Sequence, residues 1–309
     1  MYDERAGAAE RAWELLRALA RRASAGRPVC GAAGVRLDER GEIVEGERGA
    51  WIVTRPAAGR GARGWAFGDG AGALARAPEV EALVDLYLPL VVGEAAAALV
   101  IGHLAQSLDG RIATLSGVSQ FISCEDNLRH AHRLRALSDA VVVGRGTVEL
   151  DDPRLTTRLV RGESPVRVVI DPRRTLDVGR RVFSDGAART LLLCTPEAAA
   201  GTTRHGQAEI VAVPSTGADG GRMAVGAIVA ALRARGLRRL FVEGGGVTVS
   251  GFVEARALSR LQLAVAPVVL GSGRPALSLP VIDDLGGAVA LDWRVVAMGR
   301  DVLFDCVFA

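Results

Sequence analysis

From residue 98 onward, apolar runs of strand length alternate with helical patterns, and few folds accept that order. The runs cover 98–104, 140–143, 166–170, 190–193, 209–213, 239–242 and 261–266. Such alternation predicts an α/β sheet covered on both faces. A helix is expected over 125–137, where Ser123 followed three residues later by Asp126 resembles a capping box, with Asp in place of Glu or Gln. Segments 293–297 and 302–308, separated by Gly299, read as a closing β-hairpin. The apolar stretch 261–270 is a candidate sheet edge for self-association.

The preceding residues have another texture. Residues 4–22 form an amphipathic pattern, with Ala9, Ala12, Trp13, Leu16, Leu19 and Ala20 at helical spacing. Residues 26–72 are rich in Gly and Arg, with strand-like pieces near Val35 and at 51–54, and 79–88 reads as helix. The expected division is a small α+β extension, 1–95, and a main α/β domain, 96–309. The extension shows no catalytic constellation.

Within the main domain, the segment Leu240-Phe241-Val242-Glu243-Gly244-Gly245-Gly246-Val247-Thr248-Val249 joins an apolar strand to a helix-like segment through three glycines. Glycines at such a junction let backbone N–H groups approach a phosphate, and the helix N-terminus adds favourable partial charge. Glu243 would face whatever lies beside that phosphate. The segment points to a nucleotide cofactor with a polar substrate next to it; a tight loop without a ligand is the alternative.

Composition removes several function classes. The net charge is +3 and no basic cluster interleaves with aromatics, so nucleic acid is not an expected partner. All 38 basic residues are arginine, which excludes a Schiff-base lysine and a Walker-type site. Cys30, Cys124, Cys194 and Cys306 form no C-x-x-C pair, so no zinc knuckle or redox dithiol is expected, and scattered single cysteines suit a reducing cytoplasm. The N-terminus lacks an apolar signal core. The stretch 86–101 is broken by Pro89 and Glu94, too short to span a bilayer. His130 and His132, two apart on a helix, disfavour a metal pair, and no metal is expected; His205 falls in a polar loop and is expected to be solvated. Gly144-Arg145-Gly146 has Glu149 at the third glycine position, so no Rossmann fingerprint is read there.

Several motifs occur in order: AQSLDGRI at 105–112, GVSQFI at 117–122, Leu134-Arg135-Ala136, DAVVVG at 139–144, Gly146-Thr147-Val148, DDPRLT at 151–156 with Arg158, the run 166–171, Glu243-Gly244-Gly245-Gly246, and Ala266-Pro267 before Leu270-Gly271. With these, the chain from about residue 98 resembles the reductase domain of bacterial riboflavin biosynthesis, the 5-amino-6-(5-phosphoribosylamino)uracil reductase family. The resemblance implies a dihydrofolate-reductase-like fold, with a mixed, mostly parallel sheet flanked by helices. It implies NADPH-dependent reduction of the ribosyl group of a phosphoribosylamino-pyrimidine to a ribityl chain, and a homodimer. Bifunctional relatives carry a zinc deaminase ahead of this domain, but residues before 95 contain no histidine and only Cys30, so deaminase chemistry is not expected here.

By the same resemblance, Ala105, Phe121, Thr147, Asp151 and the segment Gly245, Gly246, Val247, Thr248, Val249, Ser250 and Gly251 would touch the cofactor. Ser119, Arg135, Leu155, Arg158 and Glu243 would touch substrate. Glu243, His103 and Asp151 are the catalytic candidates, with His103 or Glu243 orienting or supplying a proton. Phe121 replaces the usual Trp, and His103 stands where the family usually carries a lysine. Arginine suits a phosphate dianion, and Arg135 and Arg158 are placed to converge; a solvated helix end and an ordinary loop arginine are the plainer readings. The turn at Ser107-Leu108-Asp109-Gly110 is expected at the cofactor mouth. Two other readings stay open: a reductase of a pterin, folate-like or other pyrimidine substrate, and a non-catalytic nucleotide-binding or interaction protein.

Overall fold

The computed structural model describes residues 2–25, 35–37, 43–45, 52–54, 66–68, 78–92, 99–120, 122–215 and 222–308. The chain divides into two compact units, Met1–Ala97 and Ala98–Ala309. In the first, helix α1 (Tyr2–Ser24) precedes two antiparallel ribbons, β1 (Val35–Leu37) with β2 (Ile43–Glu45) and β3 (Ile52–Thr54) with β4 (Ala66–Gly68). Helix α2 (Pro78–Val92) follows. The apolar face of α1, including Trp13, Leu16 and Leu19, is buried, and Trp13 meets Tyr87 of α2 edge-on at a ring separation of 5.8 Å.

The second unit runs β5 (Leu99–Ser107), β6 (Arg111–Thr114), α3 (Glu125–Leu137), β7 (Ala140–Gly144), α4 (Arg145–Asp151), β8 (Val166–Ile170), α5 (Arg181–Ser184) and β9 (Thr190–Cys194). It continues with α6 (Pro196–Ala199), β10 (Arg204–His205), β11 (Ala208–Ala212), α7 (Val225–Arg233), β12 (Arg239–Glu243), α8 (Gly246–Glu254), β13 (Arg260–Ala266), β14 (Gly273–Pro275), β15 (Leu291–Met298) and β16 (Asp301–Phe308). Every strand-length run read from the sequence is a strand, and the helix over 125–137 has the expected bounds.

Ten strands form one sheet in the order β10-β11-β9-β8-β7-β12-β5-β13-β16-β15. From β11 to β13 all neighbours are parallel, and the flanking ribbons are antiparallel. Two of the parallel strands are buried on both faces: all five residues of β7 and of β9 are buried, and each fully buried Val or Leu contributes roughly 1.5–3 kcal/mol. The chain moves outward from β7 through β8 and β9 to β11, then returns to place β12 between β7 and β5. That reversal opens a crevice beyond the carboxyl ends of β7 and β12, the usual ligand position in open parallel sheets.

Three expectations fail. Residues 261–266 form no sheet edge, because β13 is hydrogen-bonded to β5 on one side and β16 on the other. His205 is only partly exposed: its ring packs edge-on against Phe183 at 4.8 Å and Nδ1 accepts from Arg174 Nε at 3.3 Å. The capping box does not form either. Cys124 is the N-cap of α3 without a side-chain cap, and the hydroxyl of Ser123 turns outward to donate to Asp301 Oδ2 at 2.6 Å. The same carboxylate oxygen accepts from Cys124 N at 2.8 Å. A residue 177 positions away thus meets the helix start, placed there by the tight turn between β15 and β16, where Gly299 has φ 59°.

Asp301 is 1% exposed, so its two hydrogen bonds form out of water. Replacing it with Ala should lower unfolding free energy by about 2 kcal/mol in urea denaturation, as for other charge-assisted bonds. An unchanged midpoint would refute its role in anchoring the hairpin to α3.

Candidate active site

Two strand-to-helix junctions, β7–α4 and β12–α8, end side by side and wall a cavity of about 830 Å³. Gly144, Arg145, Gly146, Thr147, Leu150 and Asp151 line it from the first junction. Gly245, Gly246, Val247, Thr248 and Gly251 line it from the second. Ile112, Ala113, Arg274 and Pro275 close a third side from the β6–β14 ribbon. That ribbon is braced by Asp109, which accepts from Leu270 N at 3.1 Å and Gly271 N at 2.7 Å. The Ser107 hydroxyl, donating at 2.6 Å, and these backbone N–H groups push the Asp109 carboxyl down to about 2.

The second junction needs its glycines for geometric reasons. Gly244 and Gly245 have φ of 69° and 74°, in the left-handed region. A Cβ on Gly246 would lie 2.6 Å from the backbone oxygen of Ala276, so α8 starts where only glycine fits. Gly146 and Gly251 differ: a Cβ there meets nothing within 4 Å, and both residues line the cavity. Gly246 and Val247, whose N–H groups at the start of α8 have no acceptor within the helix, both line this space. Helix N-termini, bare glycine backbone and the arginines Arg145, Arg222 and Arg274 make a cradle that fits the phosphates of a dinucleotide. Among the described residues, no group of three or more His, Cys, Asp or Glu side chains could hold a metal ion.

A polar cluster lies on the α3 face of the sheet, just upstream of the second junction. Glu243, the last residue of β12, receives both Nε and Nη2 of Arg135, the former at 2.7 Å. Arg135 Nη1 also donates to Thr156 O at 2.8 Å. Burial alone would raise the Glu243 carboxyl, but Arg135 holds it below the usual carboxylate range. His132 accepts from Arg158 N at 2.8 Å and Leu159 N at 3.3 Å, both through Nδ1. Burial, then Arg135 and Arg158, push His132 down to about 4, so it is a neutral acceptor that shapes the 152–159 loop. Arg158 Nη1 donates to Thr156 Oγ1 at 3.1 Å while its side chain stays at the surface. Leu155 adopts φ 54°, a left-handed conformation that costs a bulky residue energy, and it is 2% exposed.

The residues singled out in the sequence fall into these two groups, with exceptions. Ser119, Thr147, Asp151, Gly245, Gly246, Val247, Thr248 and Gly251 line the cavity. Partial burial pushes the Asp151 carboxyl up, against the opposing pull of Arg274. Arg135, Glu243, Leu155 and Arg158 belong to the polar cluster. Val249 and Ser250 belong to neither: Val249 is fully buried in the sheet core, and Ser250 Oγ accepts from Ser278 N at 2.8 Å. The helical period turns both away from the cavity. Ala105 is half-buried on β5 and is not part of the cavity wall. Phe121 lies outside the described residues.

His103 does not line the cavity. It is 5% exposed, its Nε2 is 3.0 Å from Asn127 Oδ1, and burial lowers its proton affinity. Glu243 is held as an anion and has no proton to give near neutral pH. Sequence reading missed Asn127, His132, Thr156, Arg222 and Arg274. His132 had been weighed only as a metal ligand, and Arg274 reaches the cavity through the pairing of β14 with β6, which leaves no local signal.

The model of the RibD C-terminal domain matches residues 98–299. A 2,5-diamino-6-ribosylamino-4(3H)-pyrimidinone 5′-phosphate reductase of Methanothermobacter thermautotrophicus is 33% identical over 216 residues, covering 67% of this chain and 96% of the relative. The corresponding reductase of Archaeoglobus fulgidus is 35% identical over 179 residues, 55% of this chain and 80% of that protein. The riboflavin biosynthesis protein RibD of Mycobacterium tuberculosis is 33% identical over 213 residues, 66% of this chain but only 52% of its own length. Among solved structures, the deaminase/5-amino-6-(5-phosphoribosylamino)uracil reductase of Thermotoga maritima superposes with a TM-score of 0.59 at 25% identity, covering 75% of this chain and 62% of that one. Saccharomyces cerevisiae Rib7, at 21% identity and a TM-score of 0.56 over 69% of this chain and 90% of that chain, shares the fold. Ordered motifs, a mostly parallel sheet of dihydrofolate-reductase type and the matched span from 98 to 299 together make this chain a member of the RibD C-terminal domain family.

Proposed function

We propose that the chain is an NADPH-dependent reductase of a phosphoribosylamino-pyrimidine, converting its ribosyl group to a ribityl chain in riboflavin biosynthesis or a related pathway. The observation that carries this reading is the glycine-walled cavity whose lining includes Gly245, two residues beyond Glu243 of the Arg135–Glu243 pair. The names of the two archaeal relatives, both pyrimidinone phosphate reductases, support the substrate class. Arg145, Arg222 and Arg274 on the cavity wall support NADPH, whose extra phosphate is absent from NADH. A cytoplasmic homodimer belongs to the same reading; the exposed side chains of Trp293 and Val295 on edge strand β15 support self-association.

When bound, the reduced nicotinamide supplies the hydride. The chain's own residues provide position and charge. Backbone N–H groups at Gly246 and Val247 hold phosphate. Arg135 keeps Glu243 ionised and fixed in plane, so its carboxylate accepts hydrogen bonds from substrate N–H or O–H groups and orients the ribosyl carbon. The exposed Arg158 guanidinium, its backbone held by His132, is placed to receive the substrate phosphate. Asp151, on the cavity wall, is the group assigned to proton transfer in this reading.

The test is spectrophotometric. Loss of reduced-nicotinamide absorbance should follow addition of the ribosylamino-pyrimidine phosphate, faster with NADPH than with NADH. The diamino-pyrimidinone and the amino-uracil forms should be run in parallel, because the relatives differ in that ring. Turnover of dihydrofolate alone would establish the pterin reading, and NADPH binding without oxidation across the panel would establish a binding protein. Glu243→Gln should reduce kcat by at least about 10²-fold while the NADPH Kd, measured on folded protein, stays within about twofold. Equal loss of both would contradict the substrate-side role.

Gly251→Leu tests the cradle. A Cβ there meets nothing within 4 Å, and Gly is about 1 kcal/mol worse than Leu within a helix, so thermal stability should be kept or raised. NADPH affinity should fall by at least about tenfold, which corresponds to about 1.4 kcal/mol. Unchanged affinity would place the cofactor elsewhere.

A further inference from the structure

One row of polar side chains crosses five strands of the sheet. In register, Glu243 on β12 lies opposite His103 on β5, His103 opposite Gln262 on β13, Gln262 opposite Asp305 on β16, and Asp305 opposite Arg294 on β15. Directly opposed residues share a face, so the whole row faces α3. Gln262 and Asp305 are 0% and 1% exposed. Buried polar groups away from the cavity need a reason to be there.

We propose that Asp305 and Gln262 are positioning residues of the active site, which fix the proton of His130 on Nε2 and so hold the ring that backs His103. The inference rests on the reductase reading only where it concerns turnover.

The donors and acceptors leave one arrangement. Asp305 Oδ2 accepts from Arg260 Nη1 at 2.6 Å and Arg294 Nε at 2.7 Å, and a carboxylate between two guanidinium groups is ionised and accepts only. Its Oδ1 therefore requires a donor, and Gln262 Nε2 fills that place at 3.0 Å. The amide is then oriented: Gln262 Oε1 faces His130 Nε2 at 2.9 Å. An acceptor oxygen at that distance requires N–H on Nε2 of His130. His130 packs against His103 at a ring separation of 5.4 Å and an interplanar angle of 56°. Asn127, one α3 turn before His130, holds His103 Nε2. His103 is thus clamped between two residues of one helix face, and one of those is set by the terminal hairpin.

The test reads the tautomer directly, by long-range ¹⁵N–¹H correlation of the histidine side chains in the full chain, with His130→Gln assigning the signal. Wild type should show His130 in the Nε2-protonated form. Gln262→Met removes the acceptor but leaves Arg260, Asp305 and Arg294 paired; His130 should lose its single-tautomer signature, and kcat should fall with the KM for NADPH unchanged. Asp305→Asn, which frees the amide to turn over, should do the same and stands in should Gln262→Met fail to fold. An Nδ1-protonated His130 in wild type, or a changed tautomer with unaltered kcat, would overturn the proposal. The tautomer needs no substrate, so a chain with the expected signature that reduces neither pyrimidine would refute the enzymatic reading and leave this arrangement standing.

Discussion

The ion pair between Arg135 and Glu243 holds three segments of chain at one point. Arg135 comes from the last turn of α3, Glu243 from the end of β12, and the carbonyl of Thr156 from the loop after α4. Taking both charges out of water costs several kcal/mol each, and the cost is offset only where geometry is good and the remaining donors are satisfied. Here three guanidinium bonds meet those demands. Removing one partner would leave an uncompensated charge under the sheet, so the pair fixes where α3, β12 and the 152–159 loop lie relative to one another.

The cavity follows from that placement. Gly244 and Gly245 can take left-handed φ immediately after Glu243, and Gly246 lets α8 begin against the backbone of Ala276. The acidic side chain and the glycine-walled cavity are therefore separated by the width of a turn, with the carboxylate on the α3 face and the helix N-terminus at the strand ends. A reductase that must bring a large cofactor against a charged sugar needs this adjacency more than it needs any single catalytic group.

Much of this was legible along the chain, because it is local. The apolar runs of β7, β8 and β9 announce strands buried on both faces, and the Glu-Gly-Gly-Gly junction announces a strand turning into a helix with room for a ligand. What could not be read is what depends on distant partners. The hydroxyl of Ser123 is bonded to Asp301 of the terminal hairpin instead of closing a capping box with Asp126, and the same carboxylate takes the N–H of Cys124. Val249 and Ser250 carry no sign that the helical period turns them into the core. His103, standing where the family usually carries a lysine, is read from sequence as a proton-orienting group; its burial beside Asn127 and His130 depends on distant partners that no local pattern reports. The opposition of Gln262 to His103 and Asp305 is a matter of register between strands, which no spacing within one strand reports.

Whether the glycine junctions after β7 and β12 seat the cofactor is measured most directly by amide hydrogen exchange of the full chain with and without NADPH. Protection is expected to rise at residues 144–151 and 244–252, with the sheet edges β10 and β15 unchanged. Protection confined to any other segment, with both junctions unaffected, would contradict the account.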